Sequence, residues 1–400
     1  AFAVLCHSAS PFHRQKHALR EETFARLCRD HHLSFIYCNL VGGQDELVFD
    51  GGSLHMDETG KVLTRGPEFR EAVFCVEVPL RRVDNPPAAS RVPVDCVKLA
   101  LPKRDNRPPL HKVENRKLDA DAEIYECLVL GVRDYIHKNG FSKAVVGLSG
   151  GIDSALTACI AVDALGRDNV TGVTLPSRYS SGETKADAAM VAVNLNIPFL
   201  TIPIESVFKS YLSELSNVFL DNEPGITEEN LQARLRAVFL MALSNKFGWL
   251  VLNTSNKSEA AVGYGTMYGD MVGAYAVLKD VFKTTVFRLS YYANARHGRE
   301  VIPVSTITRP PTAELRHNQK DSDSIPEYAI LDPVLEAYIE KDMTAEEIAA
   351  LGHDPEMVRK AIRLTDAAEW KRRQSAPGVR LSSKAFGKDR RMPLTNRFRA

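Results

Sequence analysis

Residues 144–154 read Ala-Val-Val-Gly-Leu-Ser-Gly-Gly-Ile-Asp-Ser. Ala144 to Leu148 is a short apolar run with paired valines, which predicts a buried strand. Ser149, Gly150 and Gly151 break it, and from Ser154 apolar residues recur at helical spacing to Leu165. A strand enters, a glycine turn follows and a helix leaves. The first backbone N–H groups of that helix then point at one spot, where the helix dipole also favours an anion. The glycines let a phosphate approach the backbone, and Ser149 and Ser154 add hydroxyl donors. Asp153 is out of place in an anion cradle unless it holds a cation, and Mg²⁺ bridging carboxylate and phosphates is the usual solution.

The stretch contains neither G-x-x-x-x-G-K-[ST] nor G-x-G-x-x-G. Ser-Gly-Gly-Ile-Asp-Ser instead resembles the pyrophosphate loop of the ATP pyrophosphatases. Those enzymes cleave ATP between the α and β phosphates and transfer AMP to a carboxylate or carbonyl oxygen. The resemblance implies that ATP is bound by Gly147, Leu148, Ser149, Gly150, Gly151, Ile152, Asp153 and Ser154.

The pattern continues downstream. Strands are expected at 169–175, 198–204 and 249–253, and helices at 183–195, 207–219 and 228–247. Strands alternating with helices imply a doubly wound parallel sheet, α/β in class, with helices on both faces. Ligands of such sheets lie beyond the carboxyl ends of the strands, where Ser149-Gly-Gly and Thr254-Ser-Asn-Lys both fall.

Upstream, residues 1–80 are expected to form a separate unit. Strands are predicted at 3–5, 34–41, 47–56, 61–63 and 72–78. A helix over 15–31 places Leu19, Phe24 and Leu27 on one face. Residues 81–117 shift to proline and charge and read as a linker, leaving 118–400 as the larger domain. Its first helix, 119–138, would bury Ile124, Cys127, Leu128, Leu130, Val132 and Ile136.

Four hundred residues suffice for two domains, and 44% hydrophobic with 25% charged residues is ordinary for a globular chain. A net charge of +1 gives no argument for nucleic acid or membrane partners, and no apolar run is long enough to span a bilayer. Seven scattered cysteines without C-x-x-C argue against a zinc ribbon or iron–sulfur cluster and fit reduced cytoplasmic thiols.

Ser-Ala-Ser-Pro-Phe at 8–12 and Tyr-Cys-Asn-Leu-Val-Gly-Gly-Gln-Asp-Glu-Leu-Val-Phe-Asp-Gly-Gly-Ser at 37–53 resemble the second half of a nitrilase-type amidase domain. The closer resemblance is to the glutaminase domain of the glutamine-dependent NAD⁺ synthetases. That family hydrolyses glutamine with a Glu-Lys-Cys triad, in which a base-activated thiolate attacks the amide. The Cys-Glu-Asp-type stretch that carries the nucleophile is absent here, and Cys6 stands where the family has Asn. The resemblance therefore places the triad upstream of Ala1. Carried over are two glutamine-binding residues, Ser10 and Lys16.

The same family resemblance extends through the larger domain, a Rossmann-like sheet of the adenine nucleotide alpha hydrolase type. Glu229-Asn-Leu-Gln-Ala-Arg234 matches a motif whose Asn and Arg contact deamido-NAD⁺, which implies Asn230 and Arg234, one helical turn apart. Leu252-Asn-Thr-Ser-Asn-Lys-Ser-Glu259 implies Thr254 for ATP. It makes Glu259 a second carboxylate for Mg²⁺ beside Asp153, or a deamido-NAD⁺ contact. Gly263-Tyr-Gly-Thr-Met-Tyr-Gly-Asp270 shapes the substrate pocket, with Met267 where smaller ammonia-dependent members carry Lys. Lys283 matches an ATP-phosphate contact, and Thr312, in Pro-Pro-Thr-Ala-Glu, lies near ATP. The polar stretch 308–324 is expected to order over substrate as a lid. The last thirty residues are basic, with Asp389 their single acid, which read cold suggests nucleic acid. The family ends in the same way, and Lys371 there touches substrate.

These features imply a ligase that forms a C–N bond. ATP would adenylate the nicotinate carboxylate of deamido-NAD⁺, and ammonia drawn from glutamine would displace AMP to give NAD⁺. The implied enzyme is a cytoplasmic homo-oligomer acting on small molecules. A GMP synthetase-like amidotransferase, or an ammonia-only NAD⁺ synthetase, is the alternative.

Overall fold

The computed structural model describes residues 3–78, 113, 115, 117–220, 222–317 and 319–395, and the chain forms two units. The first comprises Ala1–Ser10, Gln15–Val41 and Asp50–Leu118, and the second Pro11–Arg14, Gly42–Phe49 and Asp119–Ala400. The expected linker lies, from 81 to 112, outside the described residues.

In the first unit, β1 (Ala3–Ser8), α1 (Lys16–His31), β2 (Ser34–Asn39), β5 (Leu54–Met56) and β6 (Val62–Arg65) build a four-stranded sheet in the order β1-β2-β5-β6. β1 runs parallel to β2, and the other two pairings are antiparallel. Phe24 of α1 stacks on Phe35 at 4.5 Å and packs with Cys28, Tyr37, Leu54 and Met56. Leu19 is not on this face and is 58% exposed, because buried His17 and Arg20 take the inward positions instead. The predicted strand 34–41 stops at Asn39. Leu40 turns away, its N–H donating to Ser8 and its carbonyl accepting from Gly51. Residues 72–78 form no strand and Val73 is fully exposed, so the alternation there finds no strand partner among the described residues.

Two strands follow the bend at Leu40, β3 (Val41–Gln44) and β4 (Leu47–Asp50), paired with each other. The second unit then runs α2 (Ala120–Lys138), β7 (Ala144–Gly147), α3 (Ile152–Leu165), β8 (Val170–Thr174), α4 (Gly182–Leu195), β9 (Phe199–Thr201), α5 (Glu205–Phe219), α6 (Ile226–Phe247), β10 (Leu250–Asn253), α7 (Lys257–Val262), β11 (Tyr275–Ala276) and α8 (Lys283–His297). Its remaining helices are α9 (Val304–Thr308), α10 (Tyr328–Glu340), α11 (Ala345–Ala350), α12 (Pro355–Ala367) and α13 (Glu369–Arg372). Five parallel strands lie in the order β11-β10-β7-β8-β9. The chain thus leaves β7 toward β8 and β9, then returns to the other side with β10. The gap beyond β7 and β10 is the switch point where doubly wound sheets bind ligands.

Sequence and structure agree closely on the core strands. Val145, Val146, Val173 and Val251 are all at or below 2% exposure. The predicted buried face of α2 is buried, but so are Ala122, Tyr125 and Val129. The helix packs against both α3 and α8, so little of its middle meets water. The long helix begins earlier than predicted, at Ile226, with Glu228 reaching back to accept from the Gly225 N–H at 2.6 Å. β9 is limited to three residues of the predicted 198–204.

Segments from the first eighty residues are built into the second unit. Arg14 pairs with Glu340 at 2.8 Å, and Glu340 also pairs with fully buried Lys257 at 2.8 Å. Lys257 meets Asp280 at 2.6 Å. The Arg14 N–H donates to Leu381 and the Arg380 N–H to Glu46. Among the described residues no helix is long and apolar enough to cross a membrane.

Asp50 anchors the polar heart of the first unit. Arg20 donates to both its oxygens at 3.0 and 2.7 Å, Asn39 donates at 3.1 Å, and His17 Nε2 lies 2.7 Å away. Burial raises its pKa, but His17 and Arg20 outweigh that and hold it below the usual range. Asp50→Ala leaves Arg20 buried without its carboxylate, and we expect a loss of about 3–5 kcal/mol in urea unfolding. A depressed carboxylate pKa gives stability that is present above the unfolded value, near pH 4, and lost below it. The wild-type advantage over Asp50→Ala should therefore shrink as pH falls through this range.

Candidate active site

The glycine turn after β7 is shaped by contact as much as by sequence. Gly150 has φ +86°, and a Cβ there would lie 2.1 Å from the Thr184 carbonyl oxygen at the start of α4. Gly151 opens α3 with no side-chain cap, leaving the helix N-terminus to external partners. The predicted hydroxyl donors hold the loop itself: Ser154 Oγ donates to Gly151 O at 2.9 Å, and Ser149 Oγ accepts from the Gly151 N–H at 3.2 Å.

Beside this loop, three chain-distant segments bring charge together. Lys283 Nζ, at the first residue of α8, pairs with Asp153 and lies 3.7 Å from Glu259 Oε1. Asn256 caps α7, accepting from the Glu259 N–H at 3.0 Å, while its Nδ2 donates to Asp153 Oδ1 at 2.9 Å. Asp321 accepts hydrogen bonds from Tyr264 at 3.1 Å and Tyr328 at 2.9 Å. Burial and the neighbouring Asp153 push the Glu259 carboxyl up to about 8. The Lys283 amine, despite burial, is held up at about 12 by Asp153 and Glu259.

The loop and the charged cluster open into one cavity of about 280 Å³ at the strand ends. All eight loop residues from Gly147 to Ser154 line it, as do Thr254, Glu259, Lys283, Thr312 and Asp321. Burial pushes the Arg236 guanidinium down to about 10, against the opposing charges of Asp270 and Glu314. It donates to Leu175 O and Ser177 Oγ beyond β8.

Three residues expected to meet deamido-NAD⁺ converge on one feature, the 263–270 loop. Asn230 accepts from Thr266 Oγ1 at 2.7 Å, and Arg234 donates to Met267 O at 3.2 Å. Lys371 donates to Gly263 O and Gly265 O at 2.7 and 2.9 Å. In the first unit, Ser10 is held by Arg20, which donates to its carbonyl and hydroxyl oxygens, while Lys16 is the first residue of α1.

Two polar stretches are held by contacts within the second unit. The 308–324 stretch is tied down: Arg309 pairs with Asp187 at 2.6 Å, and Glu314 accepts from Thr184 Oγ1 at 2.8 Å. The basic tail is spent internally. Arg372 donates to Ala261 O and Thr365 O, Arg380 pairs with Asp389, and Arg390 stacks over Tyr338 at 4.3 Å. Arg397 and Arg399 lie outside the described residues. Sequence reasoning missed Asp321, Tyr264, Tyr328 and Arg236. Asn256 was legible as the cap of an Asn-x-x-Glu box.

A glycine turn feeding a bare helix N-terminus, at the switch point of a parallel sheet and beside paired acids, defines a nucleotide-binding enzyme domain. The family model for NAD synthase matches residues 124–375. The glutamine-dependent NAD(+) synthetase of Thermotoga maritima is 48% identical over 98% of this chain and 69% of its own length. That of Acinetobacter baylyi is 46% identical over 99% and 69%. The structure of the Acinetobacter baumannii enzyme in complex with adenosine diphosphate superposes with TM-score 0.66 at 42% identity, over 98% of this chain and 68% of that one. The chain belongs to the NAD synthase family, among its glutamine-dependent NAD(+) synthetases. Neither alternative, GMP synthetase-like or ammonia-only, is favoured by these relatives.

Gly150→Ala tests the loop. Forcing a Cβ against Thr184 O at positive φ should cost at least about 1–2 kcal/mol. ATP affinity should fall in titration calorimetry while the far-ultraviolet spectrum stays unchanged.

Proposed function

We propose that the cavity carries out ATP-dependent amidation of deamido-NAD⁺ to NAD⁺, with nitrogen from glutamine and release of AMP and pyrophosphate. One observation carries this reading: the Ser149–Ser154 loop and the Asp153–Lys283–Glu259 cluster line a single cavity at the switch point. That the A. baumannii relative holds adenosine diphosphate supports a nucleotide there.

In this reading the nicotinate carboxylate oxygen attacks the α-phosphorus, and the bond from that phosphorus to the α–β bridging oxygen breaks. The N–H groups at the start of α3 receive the charge that develops on the departing pyrophosphate. Ammonia then attacks the acyl carbon, its proton is lost, and the C–O bond to AMP breaks to leave the amide. Holding carboxylate and phosphate in line is itself a large part of the acceleration. The residues present fit a divalent cation. Asp153 and Glu259 would hold Mg²⁺, because Glu259 is a carboxyl kept from its charge by burial and by Asp153. The ion, when bound, supplies neutralisation of phosphate charge.

Asn230, Arg234 and Lys371 hold the 263–270 loop as a wall for deamido-NAD⁺, and Ser10 and Lys16 meet glutamine. Residues 1–80 are then the second half of a nitrilase-like glutaminase, and 118–400 the synthetase domain.

The test is AMP and NAD⁺ formation from ATP, Mg²⁺, deamido-NAD⁺ and ammonium. Asn230→Ala and Lys371→Ala should each raise KM for deamido-NAD⁺ about tenfold, with KM for ATP little changed. Asp153→Ala should lower kcat. Folded protein that binds ATP yet forms no NAD⁺ overturns the substrate assignment.

A further inference from the structure

We propose that Arg309, beside the Ser149–Ser154 loop, binds the terminal phosphates of ATP and the pyrophosphate they become. The inference rests on the reading of that loop as the phosphate site.

The first argument is charge. A departing pyrophosphate carries more negative charge than one divalent ion neutralises, and Ser-Gly-Gly-Ile-Asp-Ser provides no cationic side chain: its only charged residue is Asp153. A helix N-terminus offers about half a unit of positive charge. Among the described residues, the cations lining the cavity are Lys185, Arg236, Lys283 and Arg309. Lys283 is engaged by Asp153 and Glu259. Arg236 is bonded beyond β8, to Leu175 O and Ser177 Oγ. Lys185 is exposed on α4. Arg309 is the partly buried cation beside the loop.

The second argument is geometry. Arg309 Nη1 lies 3.5 Å from the carbonyl oxygen of Gly150, so the guanidinium borders the turn. Its Nη2 donates to Asp187 Oδ2 at 2.6 Å, and Asp187 Oδ1 accepts from Ser305 Oγ at 2.9 Å. Exposed Glu183 is 3.8 Å away. Asp187 thus fixes one edge of the guanidinium, in the manner of a carboxylate that orients a working group from behind. Pro310 and Pro311 stiffen the chain after it, and Glu314 fastens the segment to Thr184 and Ser181 at the N-terminus of α4. An oriented, planar guanidinium suits bidentate contact with phosphate oxygens better than an ammonium does.

Calorimetric titration of the full chain with ATP, AMP and pyrophosphate separates the possibilities. Arg309→Ala should weaken ATP and pyrophosphate by about tenfold or more and change AMP less than about twofold. Arg309→Lys should recover part of the loss. Asp187→Asn, which keeps the guanidinium but loosens it, should fall between. Equal weakening of ATP and AMP would make Arg309 a structural residue and overturn the proposal. Unchanged ATP affinity in Arg309→Ala, with affinity lost in Gly150→Ala, would overturn the proposal and leave the loop reading standing. Unchanged affinity in both would overturn the loop reading and the proposal with it.

Discussion

Two carboxylates share one buried amine beside the cavity of the second unit. Asp153 opens the helix after the first strand, Glu259 belongs to the short helix after the fourth, and Lys283 begins a helix 130 residues beyond Asp153. None of the three is stable alone in such surroundings. Unpaired, each would cost several kcal/mol to bury. Together they tie the ends of β7 and β10, through α3 and α7, to the start of α8. The switch point of the sheet is therefore held by paired charges, and burial with Asp153 alongside pushes the Glu259 carboxyl up to about 8.

The strand–turn–helix at 144–165 was legible because each signal was local: valines, then glycines, then helical spacing. Asp153 and Glu259 were legible through the same segments. Asp321 was not, since it lies in a polar, aperiodic stretch and becomes part of the site only through Tyr264 and Tyr328, far away in sequence. Strand 72–78 failed for the converse reason. Its alternation is real, but pairing is a tertiary property and no neighbour among the described residues supplies it. Leu19 misled likewise, because a histidine and an arginine, satisfied by Asp50, outcompete leucine for the inner face of α1.

The C-terminal charges show how composition misdirects. A tail rich in Lys and Arg suggests a polyanion, yet its described residues are consumed by carbonyls, acids and aromatic faces of the same unit. Lys371 is the instructive case: its two carbonyl contacts hold the 263–270 loop, which Asn230 and Arg234 reach from the opposite direction in sequence. The 263–270 loop is thus fastened from two regions that no local motif connects to it.

The Arg14–Glu340–Lys257 chain bears on how this protein can be divided. The second unit owns Pro11–Arg14 and Gly42–Phe49 as fully as it owns its sheet. Cutting the gene at residue 118 would remove the guanidinium that covers Glu340, the donor to Leu381 O and the acceptor for the Arg380 N–H. What looks from the sequence like two successive modules is, in its wiring, a second unit that takes part of its scaffold from the first fifty residues. Recombination between relatives at that linker would have to carry the loaned segments with it.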